Sequence, residues 1–165
     1  MPHVLVLGIG NILLRDEGVG VRIVERLQAS YHFPEEVRVL DGGTMGLDLL
    51  ACLEGVERLL VIDAVDAGHP PGTLIRLEGE DIPAFLSHKI SPHQVGLADL
   101  LSVARLCHLL PPTVVLFGVQ PASLETGLEL SPTVSAQVAP LVRAVLQELQ
   151  GWGVSVSDLP ATCDA

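Results

Sequence analysis

The chain alternates short apolar runs with longer segments in which apolar residues recur every three or four positions. Short, nearly continuous apolar runs are typical of strands that are buried on both faces of a parallel sheet. We predict such strands at residues 3–7, 37–40, 59–62, 73–77 and 113–119. None of them alternates cleanly enough to be a half-exposed antiparallel strand, so we expect most of them to be covered on both faces.

Segments with helical periodicity separate these runs. The predicted helices cover residues 19–31, 47–53, 94–108 and 131–151. In the first helix, Val19, Ile23 and Leu27 recur every four positions and therefore share one face. The last helix opens with Ser131 as the N-cap and Pro132 at the first helical position, an arrangement that favours helix initiation.

Strands that alternate with helices indicate βαβ units and a parallel sheet. We therefore predict an α/β fold, a three-layer sandwich in which a mostly parallel, twisted sheet of about five strands carries helices on both faces. The chain has 165 residues, which is enough for one domain of this kind. We assign residues 1–155 to that single domain and expect residues 156–165 to form an edge strand or a flexible tail.

Composition narrows the functions that are compatible with this fold. The formal charge of −11 would repel a phosphate backbone, so nucleic acid is not expected as a partner. Mean hydropathy is +0.49, but no run reaches the roughly 18 apolar residues of a membrane helix. The amino terminus shows no signal-peptide pattern, which predicts a cytoplasmic protein. Cys52, Cys107 and Cys163 have no close pairing, which fits neither a disulfide framework nor a thiolate zinc site.

Acidic residues dominate the loops that follow the predicted strands. Asp16 and Glu17 follow the first strand, Asp41 ends the second, and Asp63 ends the third. His93 lies in a further loop before the third helix. Because open parallel sheets bind ligands at the carboxyl ends of their strands, we expect these side chains to share one cleft. Two carboxylates and an imidazole form a mixed ligand set with open positions, which suits a borderline divalent metal such as nickel or zinc.

Each of these residues also has a structural explanation when it is considered alone. Asp16 or Glu17 could favour the helix dipole, and Asp63 could cap a turn. His93 could be a residue of the first helical turn, with Ser91 as the cap. Convergence of several loops at one sheet edge favours the site over these separate explanations.

A glycine-rich turn at residues 8–20 raises the alternative of a dinucleotide-binding site. The third glycine of that fingerprint would fall at Leu13, so the match is incomplete. Asp16 and Glu17 would lie at the positive end of the following helix and would oppose a pyrophosphate. Asp41, as a candidate ribose ligand, is the feature that supports this alternative.

Five groups of motifs, in chain order, resemble the hydrogenase maturation endopeptidase family over nearly the whole chain. They are GIGNILLRDEGVG at 8–20, DGGT at 41–44, IDA at 62–64, KISPHQVGL at 89–97, and GVQP at 118–121 with SLE at 123–125 and LSP at 130–132. The family removes a short C-terminal extension from the large subunit of nickel-iron hydrogenases after nickel insertion. The resemblance therefore implies an endopeptidase whose partner is that large-subunit precursor.

The resemblance also assigns residues. The metal-contacting and catalytic positions of the family fall on Glu17, Asp63 and His93. The family varies between Asp and Glu at the first position, so the adjacent Asp16 leaves a one-residue ambiguity, although the register favours Glu17. The substrate-recognition loop of the family falls on Asp41, Gly42, Gly43 and Thr44.

Nickel that the precursor supplies is the implied metal, and it would signal that cleavage can proceed. A site without thiolates should hold free metal weakly, and we expect other divalent metals to occupy it in vitro. Two cleavage routes remain open, in which either the metal polarises the scissile carbonyl or bound water, or Glu17 or Asp63 acts as the general base. The alternative function is a non-catalytic nickel-binding or docking protein for hydrogenase assembly.

Overall fold

The computed structural model describes residues 3–86 and 92–160, while the side chains of residues 92–96 lie outside the description. The strands in this part of the chain are β1 (Val4–Ile9), β2 (Tyr31–His32), β3 (Val37–Gly43), β4 (Arg58–Ala64), β5 (Leu74–Glu78), β6 (Thr113–Val119) and β7 (Ser157–Asp158). The α-helices are α1 (Val19–Ser30), α2 (Asp81–Leu86), α3 (Pro92–Leu106), α4 (Pro132–Ser135) and α5 (Val138–Gly151). Two 3-10 helices cover Arg15–Gly18 and Gly46–Leu53.

The main sheet has the strand order β3-β1-β4-β6-β5, and its first four strands are parallel. One hydrophobic core, which includes α1 and α5, covers one face of this sheet. A second core, to which the 3-10 helix Gly46–Leu53 and helices α2 and α3 contribute, covers the other face. The predicted α/β class, with a mostly parallel five-stranded sheet and helices on both faces, is confirmed.

The fourth predicted strand differs from the expectation. β5 pairs antiparallel with β6 at the edge of the sheet, so the prediction that excluded a half-exposed antiparallel strand was wrong here. Ile75 and Leu77 are partly buried, whereas Arg76 and Glu78 are exposed and Arg76 pairs with Glu148 at 2.6 Å. An exposed leucine, Leu74, stands on the polar side of the strand and obscures the alternation in the sequence.

The helices also deviate in detail. The predicted second helix is a 3-10 helix, and the predicted fourth helix is divided into α4 and α5. Ser131 is the N-cap of α4, because its Oγ accepts a hydrogen bond from Val134 N at 3.3 Å. The short helix α2, which contains Pro83, was not predicted. No helix within residues 3–86 and 92–160 has both the length and the apolar character that a membrane crossing requires.

Residues 157–158 form β7, which pairs antiparallel with β2 in a separate two-stranded ribbon. The expected division at residue 155 stays a prediction, since residues 161–165 lie outside the description.

Helix α1 approaches the sheet unusually closely at Gly20. A Cβ atom at this position would lie 2.2 Å from the carbonyl oxygen of Ile62 and 2.5 Å from that of Ile9, so only glycine fits. This contact brings the start of α1 against the ends of β1 and β4. The preceding 3-10 helix is thereby placed at the carboxyl edge of the sheet.

Candidate active site

A crevice at the carboxyl edge lies where the strand order reverses. From β1 the chain passes to β3 on one side and then returns to β4 on the other side of β1. Such switch points are where open α/β sheets bind ligands. Glu17, in the 3-10 helix after β1, and Asp63, in β4, both line a cavity of about 180 Å³ at this crevice. Their relative exposures are only 4% and 5%, so two carboxylates are buried at the same cavity.

The electrostatics of this cavity are unfavourable for two negative charges. Burial raises the pKa of Asp63 well above its usual range; a backbone hydrogen bond from Ala64 opposes this rise, and the nearby charge of Glu17 adds to it. A cation placed between the two carboxylates would offset both the burial and the repulsion. The cavity therefore fits a metal ion on the chemistry of its donors.

Asp16 has a different environment, although it is adjacent to Glu17 and fully buried. Its Oδ1 accepts a hydrogen bond from Ser131 N at 2.7 Å. Its Oδ2 accepts from Ser131 Oγ, Ala122 N and Ser123 N, at 2.8, 2.8 and 2.9 Å respectively. Burial alone would raise the pKa of Asp16, but these hydrogen bonds outweigh burial and lower the pKa. Asp16 is thus engaged by the loop after β6, and of the two neighbours only Glu17 lines the cavity.

The structure divides the predicted recognition loop. Gly43 and Thr44 line the cavity that contains Glu17 and Asp63. Asp41 is exposed, and its Oδ1 accepts a hydrogen bond from Gly43 N at 2.9 Å, so its carboxylate also braces its own loop. Gly42 is buried, and a Cβ atom there would lie 2.8 Å from a methyl group of Leu7 and 3.0 Å from one of Leu49. Gly42 therefore faces the core, whereas Gly43, with φ of +46°, faces the cavity.

A second, shallower cavity of about 300 Å³ continues from the first. Gly10, Gly43 and Thr44 line both cavities, and Leu13 and Asp41 line only the second. Gly10 N donates a hydrogen bond to Gly43 O at 2.9 Å, which joins the turn after β1 to the predicted recognition loop. Together the two cavities form a groove, and the glycines Gly10 and Gly43 lie where they meet.

His93 belongs to the first turn of α3, and its side chain lies outside the description. Leu97 and Leu100 of the same helix line the cavity with Glu17 and Asp63. Among the side chains that the structure describes, no three His, Cys, Asp or Glu residues form a group that could hold a metal ion. The role of His93 as a third ligand thus stays a prediction.

The sequence did not identify Gln120 as a residue that shapes the site. Gln120, at the end of β6, is 6% exposed. Its Oε1 accepts hydrogen bonds from Ala67 N at 2.7 Å and His69 N at 3.2 Å, and its Nε2 donates to Asp66 Oδ1 at 3.0 Å. Gln120 thereby fixes the loop that follows β4 and Asp63. Its place after a strand and within the GVQP motif at 118–121 were the signals in the sequence.

The fold and the crevice define a class, namely an α/β protein with two buried carboxylates in a cavity at the switch point of a parallel sheet. A family model described as hydrogenase maturation protease matches residues 21–148. The hydrogenase 2 maturation protease of Escherichia coli K12 is 47% identical over 153 residues, which cover 92% of this chain and 93% of that protein. The chain belongs to the hydrogenase maturation protease family and is an endopeptidase.

Other relatives agree with this assignment. The hydrogenase expression/formation protein HupD of Rhodobacter capsulatus is 47% identical over 157 residues, covering 94% of this chain and 75% of that protein. Among solved structures, the hydrogenase maturating endopeptidase HybD from E. coli matches with a TM-score of 0.90 and 45% identity, over 96% of this chain and 98% of that chain. HybD from Thermococcus kodakarensis matches with a TM-score of 0.75 and 30% identity, over 90% of this chain and 99% of that chain.

Proposed function

We propose that this endopeptidase removes the C-terminal extension of a nickel-iron hydrogenase large-subunit precursor that already contains nickel. The observation that carries the proposal is the pair of buried carboxylates, Glu17 and Asp63, at the switch-point crevice. The groove that Gly10 and Gly43 line continues from this pair and offers space for an extended peptide. Membership of the family supplies the type of reaction.

In this proposal nickel is part of the substrate, and Glu17, Asp63 and His93 contact it when the precursor binds. The two carboxylates support the assignment, since the charge of Glu17 adds to the raised pKa of Asp63 and a cation would relieve that repulsion. The ligand set contains no thiolate, so affinity for free metal should be low and the precursor must contribute further ligands. Other divalent metals are expected to compete for the same carboxylates in vitro.

Peptide hydrolysis needs a group that accepts a proton from the attacking water. Asp63 lines the cavity, and contact with nickel would lower the pKa that burial raises, so its carboxylate would be ionised and able to accept this proton. Glu17 lines the same cavity and would hold the nickel of the precursor in place beside Asp63. The nickel of the precursor would supply polarisation of the scissile carbonyl. Low exposure of both side chains keeps bulk water away from the reaction.

The test is to incubate the protein with the nickel-loaded precursor and with the same precursor prepared without nickel, and to determine the product masses by mass spectrometry. We expect loss of a C-terminal fragment only from the nickel-loaded precursor. Equal cleavage of both precursors would contradict the role of nickel. Tight binding without cleavage would instead support the alternative of a non-catalytic nickel-binding or docking protein.

His93→Ala provides a second arm of the same experiment. We expect this variant to leave the precursor uncut because one of three metal contacts is lost, while the circular dichroism spectrum stays that of the wild type. His88→Ala is the matched control, since this histidine has no assigned role in the site. Normal cleavage by His93→Ala would remove His93 from the proposed site.

A further inference from the structure

The loop between β6 and α4, residues 120–131, contains no helix or strand. Hydrogen bonds nevertheless hold it to the rest of the protein at several points along its length. Asp16 accepts the four hydrogen bonds from Ala122, Ser123 and Ser131 that are described above. Further bonds join Gly127 N to Leu13 O (2.8 Å), Arg15 N to Gly127 O (3.0 Å), Arg15 Nε to Glu129 O (3.1 Å) and Arg22 Nη2 to Leu128 O (2.9 Å). We call this segment the β6–α4 loop.

Hydrogen bonds to an ionised, buried carboxylate are stronger than neutral ones. Burial of Asp16 therefore holds the β6–α4 loop in one conformation more firmly than solvent-exposed turn contacts would. Because nearly all the anchored atoms of the loop belong to its backbone, most of its side chains are left for other contacts. A rigid loop of this kind presents its outward side chains in a fixed arrangement.

Several of the exposed side chains on this loop and beside it are large and apolar. Leu124 and Leu128 of the loop are 38% and 58% exposed, and Leu13, whose carbonyl binds Gly127 N, is 56% exposed. After β3, Met45 and Leu47, at the start of the 3-10 helix Gly46–Leu53, are 51% and 52% exposed. We call these five residues the apolar rim. Among the described residues, eight large hydrophobic side chains are exposed, and five of them belong to this rim.

One residue of the apolar rim, Leu13, lines the proposed cleavage groove. Leu13 lines the second cavity together with Thr44, and Thr44 also lines the cavity of Glu17 and Asp63. Single exposed leucines are ordinary, but several around one cleft mark an interaction surface. A ligand as small as a peptide tail would fill the groove and leave Leu124 and Leu128 in water. Their exposure therefore indicates a larger partner.

We propose that the apolar rim is the docking surface for the folded body of the hydrogenase large-subunit precursor, an inference that rests on the proposed function. Its complementary surface would be an apolar patch bordered by lysine or arginine. Glu125 and Glu129 are exposed between the leucines of the loop, and the whole chain carries a formal charge of −11. Docking at the rim would place the tail of the precursor over the groove and raise its local concentration there.

The test uses the double variant Leu124→Ser, Leu128→Ser in the full-length protein. Both side chains are exposed, so the melting temperature should stay close to that of the wild type. The matched control is Leu106→Ser, since Leu106 is 79% exposed at the end of α3, away from the carboxyl edge. Binding to the nickel-loaded precursor and the kinetics of its cleavage are measured for all three proteins.

We expect Kd and KM of the double variant to rise roughly tenfold or more, as for the loss of central apolar contacts, with kcat unchanged at saturation. Leu106→Ser should match the wild type. An unchanged Kd in the double variant, or an equal rise in the control, would overturn the docking surface. A wild-type dimer that the double variant dissociates would assign the rim to a second copy and overturn it too.

Failure of the proposed function has a separate signature. A wild-type protein that binds the precursor without cutting it would refute the cleavage, while the Kd comparison would still decide the docking surface. A wild-type protein that does not bind the precursor at all would overturn the docking surface directly.

Discussion

Asp16 and Glu17 are neighbours in one turn of 3-10 helix, and both are buried, but they serve different regions of the molecule. Asp16 faces the β6–α4 loop, where four donors surround it and lower its pKa. Glu17 faces the crevice, where it adds to the rise in the pKa of Asp63. Burial alone thus does not say whether a carboxylate is structural or chemical. The hydrogen bonds to the β6–α4 loop mark Asp16 as structural, and the position of Glu17 at the cavity with Asp63 marks it as a candidate for chemistry.

The largest effect is expected from the crevice. Asp63→Asn removes a proposed metal contact and base, so kcat/KM for the precursor should fall by at least roughly 100-fold. The fold should be unharmed or slightly more stable, because a buried charge beside Glu17 is removed. Cleavage assays and thermal unfolding test the two halves. A variant that loses activity only because it unfolds would show that Asp63, like Asp16, mainly stabilises the fold.

Asp16→Asn should mainly lower the stability of the fold, whereas Asp63→Asn should mainly lower activity. An amide would turn its own N–H group toward donors that now point at a carboxylate, so the free energy of unfolding should fall by about 3 kcal/mol. Urea unfolding measures the change. Ser131→Ala, which deletes one of the four hydrogen bonds and weakens the cap of α4, should fall between this variant and the wild type. A fully stable Asp16→Asn protein would contradict the anchoring role.

Gly42 and Gly43 are also neighbours with different expected roles, one in the stability of the fold and one in the groove, and the expected effects are smaller. Gly42→Ala should destabilise the fold by about 1–2 kcal/mol through contact with Leu7 and Leu49. Gly43→Ala should cost about 1 kcal/mol for its φ of +46° and should also raise KM, because its Cβ atom would enter the groove. Calorimetry with a divalent metal should show unchanged affinity for Gly43→Ala. Loss of metal binding in step with activity would mean that the loop supports the metal site instead.

The smallest effect concerns stability against pH. The folded pKa of Asp63 is raised, so its contribution to stability is lost as pH rises through that pKa and regained on mild acidification. The folded pKa of Asp16 is lowered below the unfolded value of about 3.9, so its contribution is present above that value and lost as pH falls through the folded pKa. Melting temperatures between neutral and strongly acidic pH should therefore rise and then fall. Asp63→Asn should remove the rise, and Asp16→Asn should reduce the fall.

Much of the fold was predictable, because buried parallel strands such as β4 and β6 form short, continuous apolar runs that alternate with segments of helical periodicity. The strand β5 was also predicted, but its antiparallel, half-exposed character was not, since Leu74 conceals its alternation. The location of Glu17, Asp63, Gly43 and Thr44 at one cavity followed from reading the strands to their carboxyl ends.

The partners of the polar residues could not be predicted in the same way. Ser131 was recognised as a helix cap, but its bond to Asp16 joins residues that are 115 positions apart in the sequence. The bonds of Gln120 to the loop after β4 span more than 50 positions. A single sequence contains no signal for such contacts, because each depends on how two loops meet after the sheet has formed.

The anchoring of the β6–α4 loop has a consequence for how related proteases diverge. Its anchors are Asp16, Arg15 and Arg22 on one side and backbone groups, with Ser131, on the other. Leu124 and Leu128 can therefore be exchanged by mutation without disturbing the bonds that hold the loop. Selection can alter the outward surface in small steps while the stability of the fold stays constant. The same separation makes this loop a suitable place for engineered changes of partner.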